Sequence, residues 1–204
     1  MATVREKYNA VSQRYNLMEL PAELTFFRRW REEVQDELKG PAVLEVGVGT
    51  GKNIPYYHPD WKVVAFDLSE GMLDKIDRKS RKDLKLLQMD AEQMAFPDGV
   101  FDSAFDTFVF CSVSDALTGL REIHRVLKPG GRFVALEHMR PEAEWAGKLF
   151  DLTDPIMAGL SGVHINRHTV GNIRNAGFRV EEVRELFTSV FRLILARKSG
   201  DPAD

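Results

Sequence analysis

From residue 42 onward the chain alternates short apolar runs with stretches of helical spacing. The runs fall at 42–48, 62–66, 84–89, 102–110 and 132–137. Runs of this kind need cover on both faces, which predicts parallel strands joined by crossover helices in a doubly wound α/β sheet. The crossovers are expected to be right-handed. The segment 115–127 is the clearest connector: Asp115 can cap it, and Leu117, Leu120, Ile123, Val126 and Leu127 form one apolar stripe. Pro129-Gly130-Gly131 then launches the fifth strand. Two further strand patterns, 178–186 and 190–197, flank a short turn and give the only hairpin signal.

The first forty residues carry a different pattern. Val4, Tyr8, Val11 and Tyr15 recur three or four apart, as do Leu24, Phe27, Trp30, Val34 and Leu38. Two helices are expected, separated at Pro21 and stopped by Gly40-Pro41. After His138 the regularity fades into a mixed stretch, 141–164, that reads as a helical cover, and 166–176 reads as a helix ended by Gly177. The basic stretch 75–85 is interleaved with Asp77 and Asp83 and reads as a solvated helix face. A length of 204 residues suits one domain. Within it, 1–40 forms a helical cap, 41–138 the sheet core, 139–178 a second cover and 179–198 the C-terminal hairpin.

Charge and cysteine content narrow the function classes. With 28 basic against 31 acidic residues the net charge is −3, which provides no electrostatic footprint for nucleic acid. Cys111 is the single cysteine, excluding an internal disulfide or a multi-cysteine metal site and fitting a cytoplasmic address. The charged start, 1–6, has no signal-peptide core, and the uncharged run 107–114 is too short to span a bilayer. Peripheral membrane contact through the first helix stays open.

The stretch that carries chemistry is Leu44-Glu45-Val46-Gly47-Val48-Gly49-Thr50-Gly51-Lys52-Asn53, a strand running into a glycine-rich turn. Glycine lets the backbone turn sharply and lets a ligand touch the main chain. Sixteen residues past Gly51, at the end of the second run, stands Asp67, where a carboxylate can accept both hydroxyls of an adenosine ribose. Asp67 can equally cap a following helix, and Asp90 can equally form a turn. A dinucleotide fingerprint needs its third glycine at position 52, which is Lys52, so a dehydrogenase is the weaker reading.

The GxGxG spacing resembles motif I of the class I S-adenosylmethionine (SAM) methyltransferases, and Glu45, Asp67 and Asp90-Ala91 agree with it over residues 42–138. The resemblance implies a Rossmann-like seven-stranded sheet with an antiparallel last strand, and SAM as cofactor. It also implies that Glu45 and the backbone of Gly47, Val48, Gly49, Thr50 and Gly51 hold the amino-acid part of SAM. Asp67 would hold the ribose, and Asp90-Ala91 the adenine edge. Asn53, Leu68 and Phe110 join this cofactor set by position. Tyr8 and Tyr15 would close over it. Tyr15-Asn16 resembles the tyrosine-acid pair near the start of quinone and phospholipid methyltransferases, with Asn16 replacing the acid.

Ligands of open α/β sheets lie beyond the carboxyl ends of the strands, here Phe110, Cys111 and Ser112 after the fourth and Glu137 and His138 after the fifth. A lid would come from 1–30 and 139–170. His138 is the candidate acceptor-side base, its ordinary pKa lying near neutrality. Cys111, His164 and Arg167 are candidate acceptor contacts, although Cys111 also suits simple packing and Asn166 in the same 162–167 cluster can cap the next helix. Phe110-Cys111-Ser112-Val113 and Glu137-His138 resemble the methyltransferases of alkyl thiols and hydrogen sulfide, so a thiol or sulfide acceptor is expected. Phospholipid amine methyltransferases share much of the plan, and ubiquinone and menaquinone C-methyltransferases share the glycine motif and the Lys128-Pro129-Gly130-Gly131 turn. A module that binds SAM without turnover is the reading from another class.

Overall fold

The computed structural model describes residues 3–78, 81 and 84–200. Its centre is a seven-stranded sheet of order β3-β2-β1-β4-β5-β7-β6. The strands are β1 (Ala42–Val46), β2 (Lys62–Asp67), β3 (Lys85–Gln88), β4 (Phe101–Thr107), β5 (Leu127–His138), β6 (Phe178–Phe187) and β7 (Phe191–Lys198). The first five are parallel, and β7 runs antiparallel between β5 and β6. Strand order reverses at β1, between β2 and β4, which is where such sheets open a crevice at their carboxyl ends.

Side chains alternate between two cores, one on each face of the sheet. Leu44 and Val46 pack with Leu120, Ile123 and Ile173 beneath helices α4 (Ala116–Val126) and α6 (Thr169–Asn175). Val43, Val63, Phe105 and Val134 pack on the other face with Trp30, Val34 and Leu38 of α2 (Arg28–Asp36) and the turn after it. Asp115 caps α4 as expected, accepting from the amides of Leu117 and Thr118 at 3.1 Å each. Gly177, at φ +102°, ends the α6 segment in the left-handed region that only glycine enters freely.

Five sequence expectations change. Pro21 does not separate two helices: α1 (Val4–Ala22) runs through it and passes by a π-helical turn, Glu23–Phe27, into α2. The wider turn and a bond from Thr25 Oγ1 to the Pro21 carbonyl, 2.9 Å, carry the chain past the proline. The helix also stops at Asp36, before Gly40, whose missing Cβ instead makes room for the Trp61 indole. The crossover after β2 is only α3 (Glu70–Leu73), so the described part of 75–85 is not helical; Arg81 there spends its guanidinium on the carbonyls of Tyr57, His58 and Trp61. Residues 79, 80, 82 and 83 of that stretch lie outside the described residues. Pro129-Gly130-Gly131 sits within β5 as an irregularity, Gly130 at φ +71°, rather than before the strand. Asn166 is not a cap: it donates to Asp151 Oδ1 at 3.2 Å, and α6 begins after His168 without a side-chain cap.

Candidate active site

The glycine turn after β1 has positive φ at Gly47 (+66°), Gly49 (+54°) and Gly51 (+83°). A Cβ at Gly47 would overlap the Val109 methyls, and one at Gly49 would meet nothing within 4 Å. The first glycine thus lets two loops meet, and the second bares main chain to open space. Asp67, at the tip of β2, ties the turn down by accepting from Gly49 N at 2.9 Å and from Ser69 N at 2.8 Å. Burial pushes its carboxyl up, against the pull of those two amides. The cap of α3 is Ser69, through Met72 N, so Asp67 is left facing the crevice instead of capping.

Over the turn lies a crevice of about 790 Å³, counting its solvent-open part. Gly47 and Gly49 form one wall, Asp67 and Leu68 the next, Asp90 and Ala91 the third, and Phe108, Val109 and Ser112 the fourth. Tyr8 and Tyr15 of α1 close the top, their rings 6.4 Å apart. Helix α1 begins with a capping box, Thr3 N donating to Glu6 Oε2 at 2.8 Å and Glu6 N to Thr3 Oγ1 at 3.3 Å. It is then pinned around the crevice rim. Tyr8 OH meets Ser112 Oγ at 2.6 Å, Asn9 Oδ1 accepts from Ser69 Oγ at 2.6 Å, and Asn16 Oδ1 accepts from Thr50 Oγ1 at 2.7 Å. Lys7 Nζ donates to the carbonyls of Ala158 and Gly159 on helix α5 (Glu144–Ser161). Asn16 therefore reaches the glycine turn as a neutral acceptor.

Six residues assigned to the cofactor set lie outside the lining: Glu45, Val48, Thr50, Gly51, Asn53 and Phe110. Val48 is buried in the α2-side core, and Thr50 is taken up by Asn16. Gly51 packs toward Ile54 and Ile76, and Phe110 is a core ring edge-on to Phe133. Glu45 points to the sheet face opposite Val46 and is wholly buried, accepting from Asn53 Nδ2 at 2.6 Å and from Tyr57 OH. Arg31 Nη1 completes the network through Asn53 Oδ1 (3.1 Å) and Thr107 Oγ1 (3.0 Å). Burial raises the Glu45 pKa to about 8 despite the Asn53 bond and the Arg31 charge. A pKa raised in the folded state contributes stability below the unfolded value that is lost as pH rises through the folded one. Glu45→Gln is therefore expected to flatten the fall in stability between about pH 5 and 8 by one proton's worth, roughly 1.4 kcal/mol per unit, in urea titrations at stepped pH.

The acceptor-side residues are likewise outside the crevice. Cys111 is buried, its Sγ 3.4 Å from the Phe108 carbonyl, and burial pushes its thiol up, which makes it a packing residue. The His164 amide donates to the Cys111 carbonyl at 2.8 Å while its Nδ1 meets Asp154 Oδ2 at 2.9 Å; Arg167 donates to the Val113 carbonyl at 2.7 Å. Together they strap the α5–α6 link to the 111–113 loop. His138 stands behind Phe108, ring centroids 6.5 Å apart, in an aromatic cluster with Phe191, and it does not line the crevice. Residues that sequence reasoning passed over include Phe66, Met72, Met89 and Phe108, which make the walls apolar. Met89 had a usable signal, as the last residue of an apolar run beside Asp90; Phe108 and Met72 had none.

These features fit SAM. The open main chain at Gly49 and the Asp67 carboxyl suit a ribose and a methionine moiety, and Leu68, Met72, Met89 and Ala91 give an adenine a dry slot. A methyltransferase-domain family profile matches residues 44–135. The demethylmenaquinone methyltransferase of Symbiobacterium thermophilum is 34% identical over 150 residues, 68% of this chain and 60% of that one. The ubiquinone/menaquinone biosynthesis C-methyltransferase of Hahella chejuensis is 30% identical over 173 residues, 77% of this chain and 70% of that one. The chain belongs to the class I SAM-dependent methyltransferases. It spans about 60% of the length of the first of these relatives. The fold agrees: a SAM-dependent methyltransferase of Thermotoga maritima, 20% identical, superposes with a TM-score of 0.74 over 95% of this chain and 99% of that one. The last strand, β7, is the one that runs antiparallel to its neighbours β5 and β6.

Proposed function

We propose that this methyltransferase acts on a lipophilic acceptor of quinone type, delivered from a lipid surface. One observation carries the reading. Of twelve exposed large hydrophobic side chains among the described residues, eleven lie on α1, the π turn, α5 and the end of β6; Leu87 alone lies elsewhere. Those elements roof the carboxyl edge of the sheet, so the apolar exposure is gathered where an acceptor has to enter. Trp145, Leu149, Leu152 and Ile156 form one stripe along α5, at 77%, 52%, 75% and 64% exposure. Phe27, Trp30, Phe108 and Phe191 meet through tilted and edge-on ring contacts in an aromatic wall that ends at the crevice. The names of the quinone-methylating relatives support the same acceptor. They favour it over the thiol expected from the Phe110–Val113 and Glu137-His138 resemblance, for the crevice presents Cys111 and His138 to neither cofactor nor acceptor.

When bound, SAM supplies an electrophilic methyl. The residues of this chain hold and orient: Asp67 and the Gly49 backbone bind, Tyr8 and Tyr15 cover, and Phe108 and Val109 separate crevice from aromatic wall. Positioning of this kind supplies most of the advantage in an in-line displacement, and apolar walls keep water from the site. No helix among the described residues is long and apolar enough to cross a membrane; the proposed contact with lipid runs along the exposed apolar faces of α1 and α5.

Calorimetry with SAM, followed by methyl-transfer assays against demethylated quinols, small thiols and phosphatidylethanolamine vesicles, tests the reading. Product from the quinols alone is expected. Product from thiols alone overturns the acceptor, and tight SAM binding without product from any panel indicates a binding module. Leu152→Ser with Ile156→Ser should leave SAM affinity unchanged and raise the KM for a vesicle-borne quinol. His138→Ala, behind the Phe108 ring and outside the crevice, should leave SAM affinity and acceptor KM unchanged; a raised acceptor KM with SAM affinity intact would return the residue to the acceptor side.

A further inference from the structure

Two acids that the cofactor site does not use lie beneath it. Asp106 on β4 and Glu137 on β5 are both fully buried and point to the same sheet face, Asp106 pairing in register with Ala135. Ala135, the partner of Asp106, stands two residues before Glu137 on β5, so the two carboxyls share one side of neighbouring strands. Glu137 Oε1 accepts from the amides of Val109 and Phe110 at 2.6 and 2.8 Å, whereas Oε2 and both Asp106 oxygens are buried with no donor in bonding geometry. The titratable groups bearing on the pair are Glu45 on β1, Cys111 in the loop and Tyr8 on α1, all of them acids. Two adjacent carboxylates cannot both stay ionised in such surroundings. Burial, then the Glu137 charge, pushes Asp106 well above the usual carboxylate range.

We infer that Asp106 and Glu137 share one proton and act as a positioning pair for the 108–110 turn: Asp106 donates it, and Glu137 fixes the two amides that set the crevice wall. The turn needs such a hold. Phe108 sits at φ +60°, unfavourable for a bulky side chain, and Phe108 and Val109 both line the crevice. Glu137 thereby binds the wall from below as Asp67 binds the glycine turn from the side.

The test counts protons. The folded pKa of Asp106 lies above its unfolded value of about 3.9, so the associated stability is complete below that value and declines as pH rises. In urea titrations from pH 5 to 7 the unfolding constant of the wild type should climb about tenfold more per pH unit than that of Asp106→Asn, whose amide keeps the bond to Glu137 without a titrating proton. Glu45 contributes equally to both proteins and cancels. Parallel pH curves would overturn the shared proton. Should Asp106→Asn fail to fold, the infrared spectrum of Glu45→Gln at pH 7 decides, because Asp106 and Glu137 are then the wholly buried carboxyls among the described residues: a protonated-carboxyl stretch supports the pair, and its absence overturns it. For positioning, S-adenosylhomocysteine should bind Asp106→Asn as it binds wild type and Asp106→Ala about tenfold more weakly. Equal affinity for the two variants would remove the positioning role while leaving the cofactor assignment untouched.

Discussion

Gly47→Ala should lose about 2–5 kcal/mol of stability, the sum of roughly 1–2 for a left-handed non-glycine residue and 1–3 for overpacking. The residue stands at φ +66°, and its new methyl would enter the space of the two Val109 methyls. The two contributions separate in a double variant. Adding Val109→Ala opens the space, so the steric part is recovered while the backbone part stays, and urea denaturation should show the double variant more stable than Gly47→Ala alone. Gly49→Ala makes a useful contrast, because nothing lies within 4 Å of its Cβ. Its cost is confined to the backbone, but the methyl projects where main chain is bared to the ligand, so SAM affinity should fall more than stability.

The second large effect is on binding. Asp67→Ala should weaken SAM by about 1–3 kcal/mol through loss of charge-assisted hydrogen bonds to the ribose. The structure adds a second route to the same loss, since Asp67 also tethers Gly49 N and Ser69 N. Asp67→Asn distinguishes the routes: its one side-chain oxygen can keep a single tether, so it should fall between wild type and alanine in calorimetric titration. Unchanged affinity in Asp67→Ala would contradict the assignment outright.

Much of the fold was legible because fully buried parallel strands leave a plain mark: runs apolar on both faces, as in Val43-Leu44 and Ala104-Phe105. Asp67 and Asp90 were legible as crevice residues because each stands at a strand's carboxyl end, where chain direction alone points them at the crevice. Glu45 was misplaced for a related reason. Its neighbours in sequence belong to the site, but pleat alternation turns its side chain to the opposite face, where Arg31, Asn53 and Tyr57 converge from three distant segments. The same alternation decides between Glu137 and His138. Adjacent at the end of β5, they leave the sheet on opposite faces, so the acid reaches under the crevice wall and the imidazole joins the aromatic cluster. Pro21 misled because a helix break is the ordinary outcome of proline, and the π turn that absorbs it depends on packing of Phe27 and Trp30 against the hairpin. The apolar stripe of α5 could be read as a helix but not as an exposed one, since periodicity marks a face without saying what covers it.

A crystal structure of the chain grown with saturating S-adenosylhomocysteine tests the central claim most directly. The ribose hydroxyls should lie on the Asp67 carboxyl, the adenine beside Asp90 and Ala91, and the amino-acid end against the main chain at Gly47 and Gly49, with Tyr8 and Tyr15 closed above. A crevice left empty under those conditions, or one that takes a pyrophosphate-bearing dinucleotide in its place, would contradict it.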